Sequence, residues 1–162
     1  MPAEQPALVV FDIDGVVADV THRLHFLEAR PKRWEDFFAA AAVDPPLAEG
    51  LNLVAELGGR HDLCWLTGRP ERNRALTEAW LAAHDLPTGP LLMRADRDHR
   101  PARAAKRDHL RRLRRSRRIA VVIDDDPAVI TMLAEEGIAH LLAEWLPHSS
   151  TLQQAQERDG RT

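Results

Sequence analysis

A short apolar run near the start of the chain ends in two carboxylates. The stretch LVVFDIDG contains Asp12 and Asp14 two residues apart, and Gly15 follows directly. A turn at the end of a strand needs only one aspartate and one glycine, so the turn does not explain the second acid. Two acids this close form a concentrated negative site, and such a site calls for a cation.

Two other apolar runs end in residues that suit phosphate chemistry. WLTGR ends in Thr67, Gly68 and Arg69, and VVIDDDP contains the three aspartates 124–126. Carboxylates from separate strand ends can share one Mg²⁺, which prefers oxygen ligands and often binds substrate phosphate as well. A threonine hydroxyl and loop amides can hold phosphoryl oxygens, while a carboxylate beside the metal can act as a nucleophile. Together the three stretches predict Mg²⁺-dependent chemistry on a phosphate group.

An alternation of short strands and helices is predicted to position these residues. Runs rich in branched aliphatic residues, as in buried strands, span 7–11, 62–66, 90–93, 119–123 and 138–142. Between them, apolar residues recur at helical spacing over 70–86, 101–116 and 126–137. In the last of these segments Asp126 is the expected N-cap and Gly137 lies past the end of the helix. This order predicts a parallel sheet with helices on both faces, whose ligands bind beyond the carboxyl ends of the strands.

The segment 16–60 contains no convincing strand and is predicted to form a small helical insertion after the first strand. Its first part is expected to fold over the site at Asp12. A lid this small is expected to leave the site open to a large substrate, such as the end of an oligonucleotide. Trp34, Phe37 and Phe38 are expected to form the core of the insertion rather than a surface on which bases stack.

Composition indicates a globular protein with one domain. Of the 162 residues, 44% are hydrophobic and 29% are charged, and the chain is long enough for a sizeable core. We expect residues 1–147 to form that domain, and residues 148–162 to be a polar tail with a short helix that frays. The N-terminal MPAEQP lacks the positive charge of a signal peptide, so a cytoplasmic location is expected. Cys64, the only cysteine, excludes an internal disulfide and is expected in the core.

The net charge of −3 conceals a strongly basic segment. Residues 94–118 contain twelve arginines and lysines against three aspartates, a local net charge of +9. A solvated helix face accounts for part of this run, but RRLRRSRR at 111–118 is denser than solubility requires. The segment therefore indicates either a polyanion or acidic partner nearby, or a face that contacts only water.

The motifs resemble those of the haloacid dehalogenase-like (HAD) phosphohydrolase superfamily. FDIDGVVAD is similar to the first motif of that family, WLTGR to the second and VVIDDDP to the fourth, while Lys106 falls where the third has its lysine. The four occur in the family's order across most of the chain. The resemblance implies a three-layer α/β Rossmann-like domain that hydrolyses phosphomonoesters with Mg²⁺.

The same resemblance implies a role for each of the first motif residues. Asp12 would be the nucleophile and a metal ligand. Asp14 would be the general acid and base, and its backbone carbonyl would also face Mg²⁺. Thr67 would hold the transferred phosphoryl group, and Lys106 would neutralise the nucleophile and the phosphate.

The fourth motif would supply the other metal ligands. The resemblance implies that Asp125 binds the metal directly. Asp124 would be either a second ligand or a neighbour that supports the first, and the spacing of the residues leaves both assignments open.

Within the superfamily, the sequence is most similar to the phosphatase domain of polynucleotide kinase-phosphatases, which removes 3′-phosphates from nucleic acid ends. The similarity lies in THRLHFL, LTGRPERNRALTEAWLAAHDLP, LLMRADRDHRPARAAKRDHL and IDDDPAVITMLAEEGI. It implies that Arg23 and Arg69 contact the phosphate of the substrate. Gly68 is expected to bind the substrate through the loop amides around it. The P-loop pattern of the kinase half does not occur in this sequence, so a small metabolite or a nucleotide monophosphate is the alternative substrate.

Two other classes of protein fit the sequence less well. A non-catalytic binding protein on the same scaffold would be recruited through its arginine-rich helix, but all the expected catalytic residue types are present. A receiver domain of two-component signalling also has acids, a threonine and a lysine around Mg²⁺. Its phosphoacceptor, however, comes in the middle of the chain, and its paired acids follow the first strand.

Overall fold

The computed structural model describes residues 4–162, and its strands form one parallel sheet. In chain order the strands are β1 (Leu8–Phe11), β2 (Asp62–Pro70), β3 (Leu91–Arg94), β4 (Ile119–Asp124) and β5 (His140–Leu142). They lie in the order β3-β2-β1-β4-β5, so the strand order reverses next to β1. The five predicted strands and the α/β class are confirmed. The reversal places the expected ligand site at the carboxyl end of β1.

Helices connect the strands on both sides of the sheet. Within the described residues they are α1 (His25–Glu28), α2 (Trp34–Ala39), α3 (Ala48–Gly58), α4 (Arg74–Ala83), α5 (Ala102–Leu113), α6 (Pro127–Glu135) and α7 (Ser150–Gln153). Shorter turns of 3₁₀ or π type span Thr21–Arg23, Ala40–Val43, Glu71–Asn73 and Gln154–Arg158. None of the helices in residues 4–162 is long and apolar enough to cross a membrane.

A local signal sets the start of α6, whereas pairing in the sheet sets the end of β2. Asp126 caps α6 as predicted, because its side chain accepts the backbone N–H of Ala128 at 2.9 Å. The predicted start of α4 at Pro70 is wrong. Pro70 still pairs with Arg94 of β3 after a shift in register, so β2 continues past the apolar run and the helix begins later.

The two faces of the sheet carry separate apolar cores. Side chains of β1 alternate between them, with Val9 and Phe11 in one core and Leu8 and Val10 in the other. All four are buried, as expected for a central strand with helices on both sides. Asp12 comes directly after this strand and therefore lies at the carboxyl edge of the sheet.

Cys64 lies in one of these cores and is buried, as predicted. Burial raises the pKa of its thiol to about 11, so little thiolate exists near neutral pH. We expect the native protein to resist iodoacetamide at pH 8 and to be alkylated only after unfolding in urea. Mass spectrometry of the intact protein measures this, and fast alkylation of the native protein would contradict it.

The insertion and the C-terminal tail pack against each other. Phe37 and Phe38 are buried with Leu27 in the core of the insertion, as predicted, and Ala155 of the tail completes that cluster. The tail is not frayed, because α7 continues into a π-helical turn and Leu152 is buried. The sequence of the tail is mainly polar, so it does not indicate that the few apolar residues of the tail pack against the insertion.

Candidate active site

The carboxyl ends of neighbouring strands bring the motif residues together. Asp12 follows β1, Thr67 lies near the end of β2 and Asp124 ends β4. Phe11 is in register with Ile123 of β4, so the two aspartates that follow them are neighbours. Polar residues predicted from three separate stretches therefore share one edge of the sheet.

Asp12, Asp124 and Asp125 form a carboxylate cluster in which each offers an oxygen within 4.8 Å of the others. Lys106 of α5 lies against two of them. Its Nζ donates to Asp124 Oδ2 at 2.6 Å and lies 3.3 Å from Asp12 Oδ1. In contrast to Asp124, Asp125 has a buried oxygen, Oδ1, without a hydrogen-bond partner within the described residues. Asp126 Oδ2 is also without one, but its other oxygen caps α6. A buried oxygen without a partner is costly, so Asp125 Oδ1 is suited to bind a ligand.

Gly15 makes room for the Asp125 side chain. Its φ is +76°, and a Cβ built there would lie 2.2 Å from Asp125 Oδ2. A side chain at this position would therefore be strained and would push the carboxylate out of the cluster. The geometry explains why a glycine follows the second acid of the first motif.

The cluster fits a hard divalent cation. Mg²⁺ takes oxygen ligands and is usually held by one or two protein carboxylates, with water and phosphate completing its shell. The unpartnered oxygen of Asp125 and the adjacent carboxylate of Asp12 offer such ligands. Asp124 is already bonded to Lys106 and to the backbone N–H of Asp126 at 3.0 Å, which leaves it less free.

Burial and the negative charge of neighbouring carboxylates raise the pKa values of acids in the cluster. Burial raises the pKa of Asp12 to about 7, and the nearby carboxylates of Asp124 and Asp14 add to the rise while Lys106 opposes it. Burial, with Asp12 and Asp124, also raises the pKa of Asp125 well above its usual range. A cation bound here would favour the ionised carboxylates and so reverse these shifts.

Asp14 lies in a second, separate group of charges. Arg69 donates to it through Nη2 at 2.6 Å and Nε at 3.1 Å, and Arg23 Nη2 donates to it at 2.9 Å. Burial opposes ionisation of Asp14, but the two guanidinium groups outweigh it and hold its pKa well below the usual range. The side chain of Asp14 therefore faces these arginines and is not part of the carboxylate cluster.

Asp44, which the sequence analysis did not single out, completes this second group. It lies in the insertion and is buried. Both of its oxygens accept from Arg23 at 2.8 Å, and Oδ2 also accepts from Arg69 at 3.1 Å. The ion cluster of Asp14, Arg23, Asp44 and Arg69 thus holds two positive and two negative side chains. The only local signal for Asp44 was an acid before Pro45 and Pro46, which indicates a turn and nothing more.

Arg94 is a second residue that sequence reasoning missed, because it belongs to a long basic run. It ends β3 and is buried. Its guanidinium donates to backbone carbonyl oxygens of Gly68 at 3.0 Å and Arg100 at 2.7 Å, and none of the ion pairs in residues 4–162 includes it. Arg94 therefore brings a buried guanidinium to the backbone of Gly68, which follows Thr67, and the charges of Asp98 and Glu157 act on it from nearby.

Most of the site is covered, so the expectation of an open site under a small lid is wrong, although Asp125 is partly exposed where it lines a cavity with Gly15. Asp12, Asp14, Thr67 and Lys106 are each no more than 3% exposed. The insertion covers one side through Arg23 and Asp44, and the C-terminal tail covers another. Sequence length suggested a small lid, but it could not show that the tail adds to it.

The basic segment 94–118 divides between two edges of the sheet. Its first half contributes Lys106, at the carboxylate cluster. The run 111–118 lies at the opposite edge, where the carbonyl of Arg118 accepts the N–H of Leu8 at the start of β1. The densest positive charge is therefore not beside the site, and Arg111 there pairs with Glu136.

Solved structures similar to this one share its fold. A chain of the Pnkp1/Rnl/Hen1 complex superposes with a TM-score of 0.74 at 19% identity, over 90% of this chain and 48% of that one. A haloacid dehalogenase-like hydrolase from Streptococcus pneumoniae gives 0.65 at 14% identity, over 94% and 91% of the two chains. The class C acid phosphatase from Bacillus anthracis gives 0.65 at 14%, over 86% and 67%. The chain spans about half the length of the Pnkp1/Rnl/Hen1 chains that it matches.

The family model that matches this chain is that of a phosphatase domain of the HAD superfamily, and solved hydrolases of that superfamily share its parallel α/β fold. The profile of one family within that superfamily, the polynucleotide kinase PNKP phosphatase domain, matches residues 6–143. The chain belongs to that family. No curated protein matches the sequence significantly.

Proposed function

We propose that the protein is a Mg²⁺-dependent phosphomonoester hydrolase that forms an aspartyl-phosphate on Asp12. The observation that carries the proposal is the position of Asp12 beside Lys106 and two further carboxylates at one edge of the sheet. A carboxylate next to a fixed positive charge is a suitable nucleophile for a phosphate group, because the lysine offsets the repulsion between the two anions.

The reaction proceeds in two displacements. A carboxylate oxygen of Asp12 attacks phosphorus, which forms the acyl-phosphate bond and breaks the bond to the leaving oxygen. Asp14 gives its proton to that oxygen. In the second step a water loses a proton to Asp14 and attacks phosphorus, which breaks the bond between phosphorus and the Asp12 oxygen. Inorganic phosphate is released, Asp12 leaves as a carboxylate and Asp14 is protonated again. Thr67 and the backbone around Gly68 hold the phosphoryl oxygens throughout.

Asp14 can act as an acid only when it carries a proton. In the structure Arg23 and Arg69 favour its ionised form. The phosphate of a substrate offers the two guanidinium groups another anion, and Arg69 is well suited to bind it because a planar fork matches two phosphate oxygens. We propose that the arginines bind substrate in this way and thereby release Asp14 for proton transfer.

Asp12, Asp125 and the backbone carbonyl of Asp14 would hold the metal, with Asp124 holding Lys106 behind them. The spacing left open whether Asp124 is a second metal ligand or a neighbour that supports the first. We choose the supporting role, because Asp125 has an unpartnered oxygen whereas both oxygens of Asp124 are already bonded. When bound, Mg²⁺ would neutralise carboxylate and phosphate oxygens as charge develops.

We propose 3′-phosphorylated nucleic acid ends as the substrate class, in a cytoplasmic protein. The family match and the likeness to a chain of the Pnkp1/Rnl/Hen1 RNA repair complex support this choice. A small metabolite or nucleotide monophosphate is the alternative, and the distance of the run 111–118 from the site favours it, because that run is not placed to guide a phosphate backbone. A non-catalytic binding role is the third hypothesis.

Phosphate release from several substrates tests the proposal. We would compare an aryl phosphate, 3′- and 5′-phosphorylated oligonucleotides and nucleoside monophosphates, each with Mg²⁺ or EDTA and at two salt concentrations. Faster, salt-sensitive turnover of the 3′-phosphorylated oligonucleotide supports the nucleic-acid assignment. A preference for the small molecules, without salt dependence, would still support phosphatase activity. It would exclude nucleic acid ends as the substrate class.

Mg²⁺ is expected to stabilise the protein more at pH 8 than at pH 5. Burial raises the pKa of Asp12 from 3.8 to about 7, so the metal-free fold is stabilised by a proton and loses stability as the pH rises through this window. Mg²⁺ offsets the loss by supplying positive charge. The melting temperature should rise by roughly 3 °C with Mg²⁺ at pH 8 and by clearly less at pH 5.

The variant Asp125→Asn removes one carboxylate of the cluster and should reduce this rise at pH 8. The variant Asp108→Asn, at an exposed acid away from the cluster, is the matched control and should leave it unchanged. An equal or larger rise at pH 5 would contradict the assignment of the cluster as the metal site.

A further inference from the structure

The segment Ser149–Thr162, here called the cover segment, lies directly on the site. A Cβ at Gly68 would lie 2.2 Å from the carbonyl carbon of Thr162, so the backbone of the segment rests on this glycine. The Thr162 hydroxyl lies 3.3 Å from Asp14 Oδ2, to which it donates, and Arg94 donates to the Thr162 carbonyl oxygen at 3.4 Å. Thr162 itself is buried.

These contacts use the groups that the proposed mechanism assigns to the substrate. The backbone at Gly68 is to hold phosphoryl oxygens, and Asp14 is to protonate the leaving oxygen. We propose that the cover segment occupies the substrate position and competes with substrate, so that it must leave before a phosphomonoester can bind. The inference rests on the proposed function for the identity of the competing ligand, but displacement of the segment can be measured without turnover.

The segment is held by buried apolar side chains at its start, whereas its end is held mainly by polar contacts, with Gly160 and Thr162 also buried. Leu152 and Ala155 are buried, and they hold the first half against the rest of the protein. The second half is held by polar contacts of Lys32 Nζ with Asp159 Oδ2 at 2.5 Å and of Arg103 with Glu157. Both pairs are partly exposed, so solvent and salt weaken them.

The guanidinium of Arg161 adds a contact to the ring of Trp34, at 5.5 Å from the ring centre. Contacts of this kind are modest where water reaches them. The half of the segment that lies on the site is therefore the half that can leave, while the apolar half keeps it near the protein. Residues 156–162 thus form a local, reversible obstacle.

Gly160 provides a way to displace the end of the segment without touching a catalytic group. Its φ is +60°, and a Cβ there would lie 1.9 Å from the carbonyl oxygen of His99. Gly137, at the far end of α6, has a similar φ of +67°, but among the described residues no atom comes within 4 Å of where its Cβ would lie. The variant Gly160→Ala therefore adds strain and a backbone collision, whereas Gly137→Ala adds strain alone.

Steady-state kinetics on the better substrate test the competition. If the site is available only when the segment has left, the apparent KM is raised by the reciprocal of the open fraction. Gly160→Ala is expected to lower KM by about three- to tenfold with little change in kcat, and Gly137→Ala is expected to keep the wild-type KM. Equal melting temperatures of the two variants would exclude a general loss of stability.

Amide hydrogen exchange supplies a readout without turnover. Adding orthovanadate with Mg²⁺ to the wild-type protein should slow exchange in the peptide that contains Asp12 and speed exchange in residues 150–162. In Gly160→Ala the cover segment should exchange fast from the beginning. Protection at Asp12 with no change in the segment would overturn the proposal.

The two proposals fail in different ways. Absence of phosphate release by every variant, on every substrate, would contradict the proposed function. Normal turnover with a KM that Gly160→Ala leaves unchanged would instead overturn the cover segment as a competitor of substrate.

Discussion

Replacing Asp12 with asparagine is expected to lower phosphate release by at least about four orders of magnitude. The carboxamide has nearly the shape of the carboxylate but is a poor nucleophile, so no aspartyl-phosphate forms. Lys106, which lies 3.3 Å from Asp12 Oδ1, would retain its bond to Asp124. The loss therefore measures the nucleophile itself rather than the collapse of its surroundings.

Stability separates this loss from unfolding. Burial and neighbouring carboxylates raise the pKa of Asp12 to about 7, so a neutral side chain there removes a repulsive charge at pH 8. The metal-free variant is expected to melt at the same temperature as the wild type or slightly above it. Phosphate release and thermal unfolding in EDTA, measured on the same samples, test both statements.

Asp19→Asn is the matched control, because it makes the same chemical change in the same stretch of chain. Asp19 Oδ1 accepts the backbone N–H of Thr21 at 2.9 Å, and an asparagine keeps that acceptor. This variant should retain full activity. If folded Asp12→Asn retained more than about one per cent of the activity, a different group would have to be the nucleophile.

Asp44→Ala is expected to lower the free energy of unfolding by about 3–5 kcal/mol. Asp44 accepts three hydrogen bonds from the two arginines of the ion cluster and is buried with them. Its removal leaves Arg23 and Arg69 with Asp14 as their remaining carboxylate, an excess of positive charge away from water. The positions of both arginines would change, so activity should fall as well.

Urea unfolding and steady-state kinetics measure the two effects. Asp36→Ala is the control, since Asp36 lies in the same insertion but forms an exposed ion pair with Arg33, and exposed pairs contribute about 0–1 kcal/mol. Asp44→Asn keeps the shape and one acceptor oxygen, and should fall between the two. A loss for Asp44→Ala no larger than for Asp36→Ala would show that the ion cluster does not stabilise the fold.

The strands and most helix boundaries follow from local patterns. LVVF is buried along its whole length and IAVVI in its second half, as expected for strands of a parallel sheet that is covered on both faces. The cap at Asp126 and the glycine after α6 are also local, because each acts on backbone within a few residues. The end of β2 was missed because pairing with β3, a distant segment, extends that strand.

The motif acids were found because parallel strands must end at a common edge. Asp12, Thr67 and Asp124 each follow or end an apolar run, so a parallel sheet brings them together without further information. Their catalytic roles remain predictions. What distinguishes Asp125 from Asp124 is a set of hydrogen bonds that spacing cannot supply.

The sequence by itself determined the parallel sheet, its helices and the edge at which the acids meet, because hydrophobic periodicity and capping act over a few residues. Only the tertiary structure decided which charges pair in the interior and what covers the site. Asp44 meets Arg69 across 25 residues of chain, and Thr162 meets Asp14 across 148. The sequence around a polar residue does not indicate a partner so far away along the chain, because the burial of that residue depends on how separate elements pack.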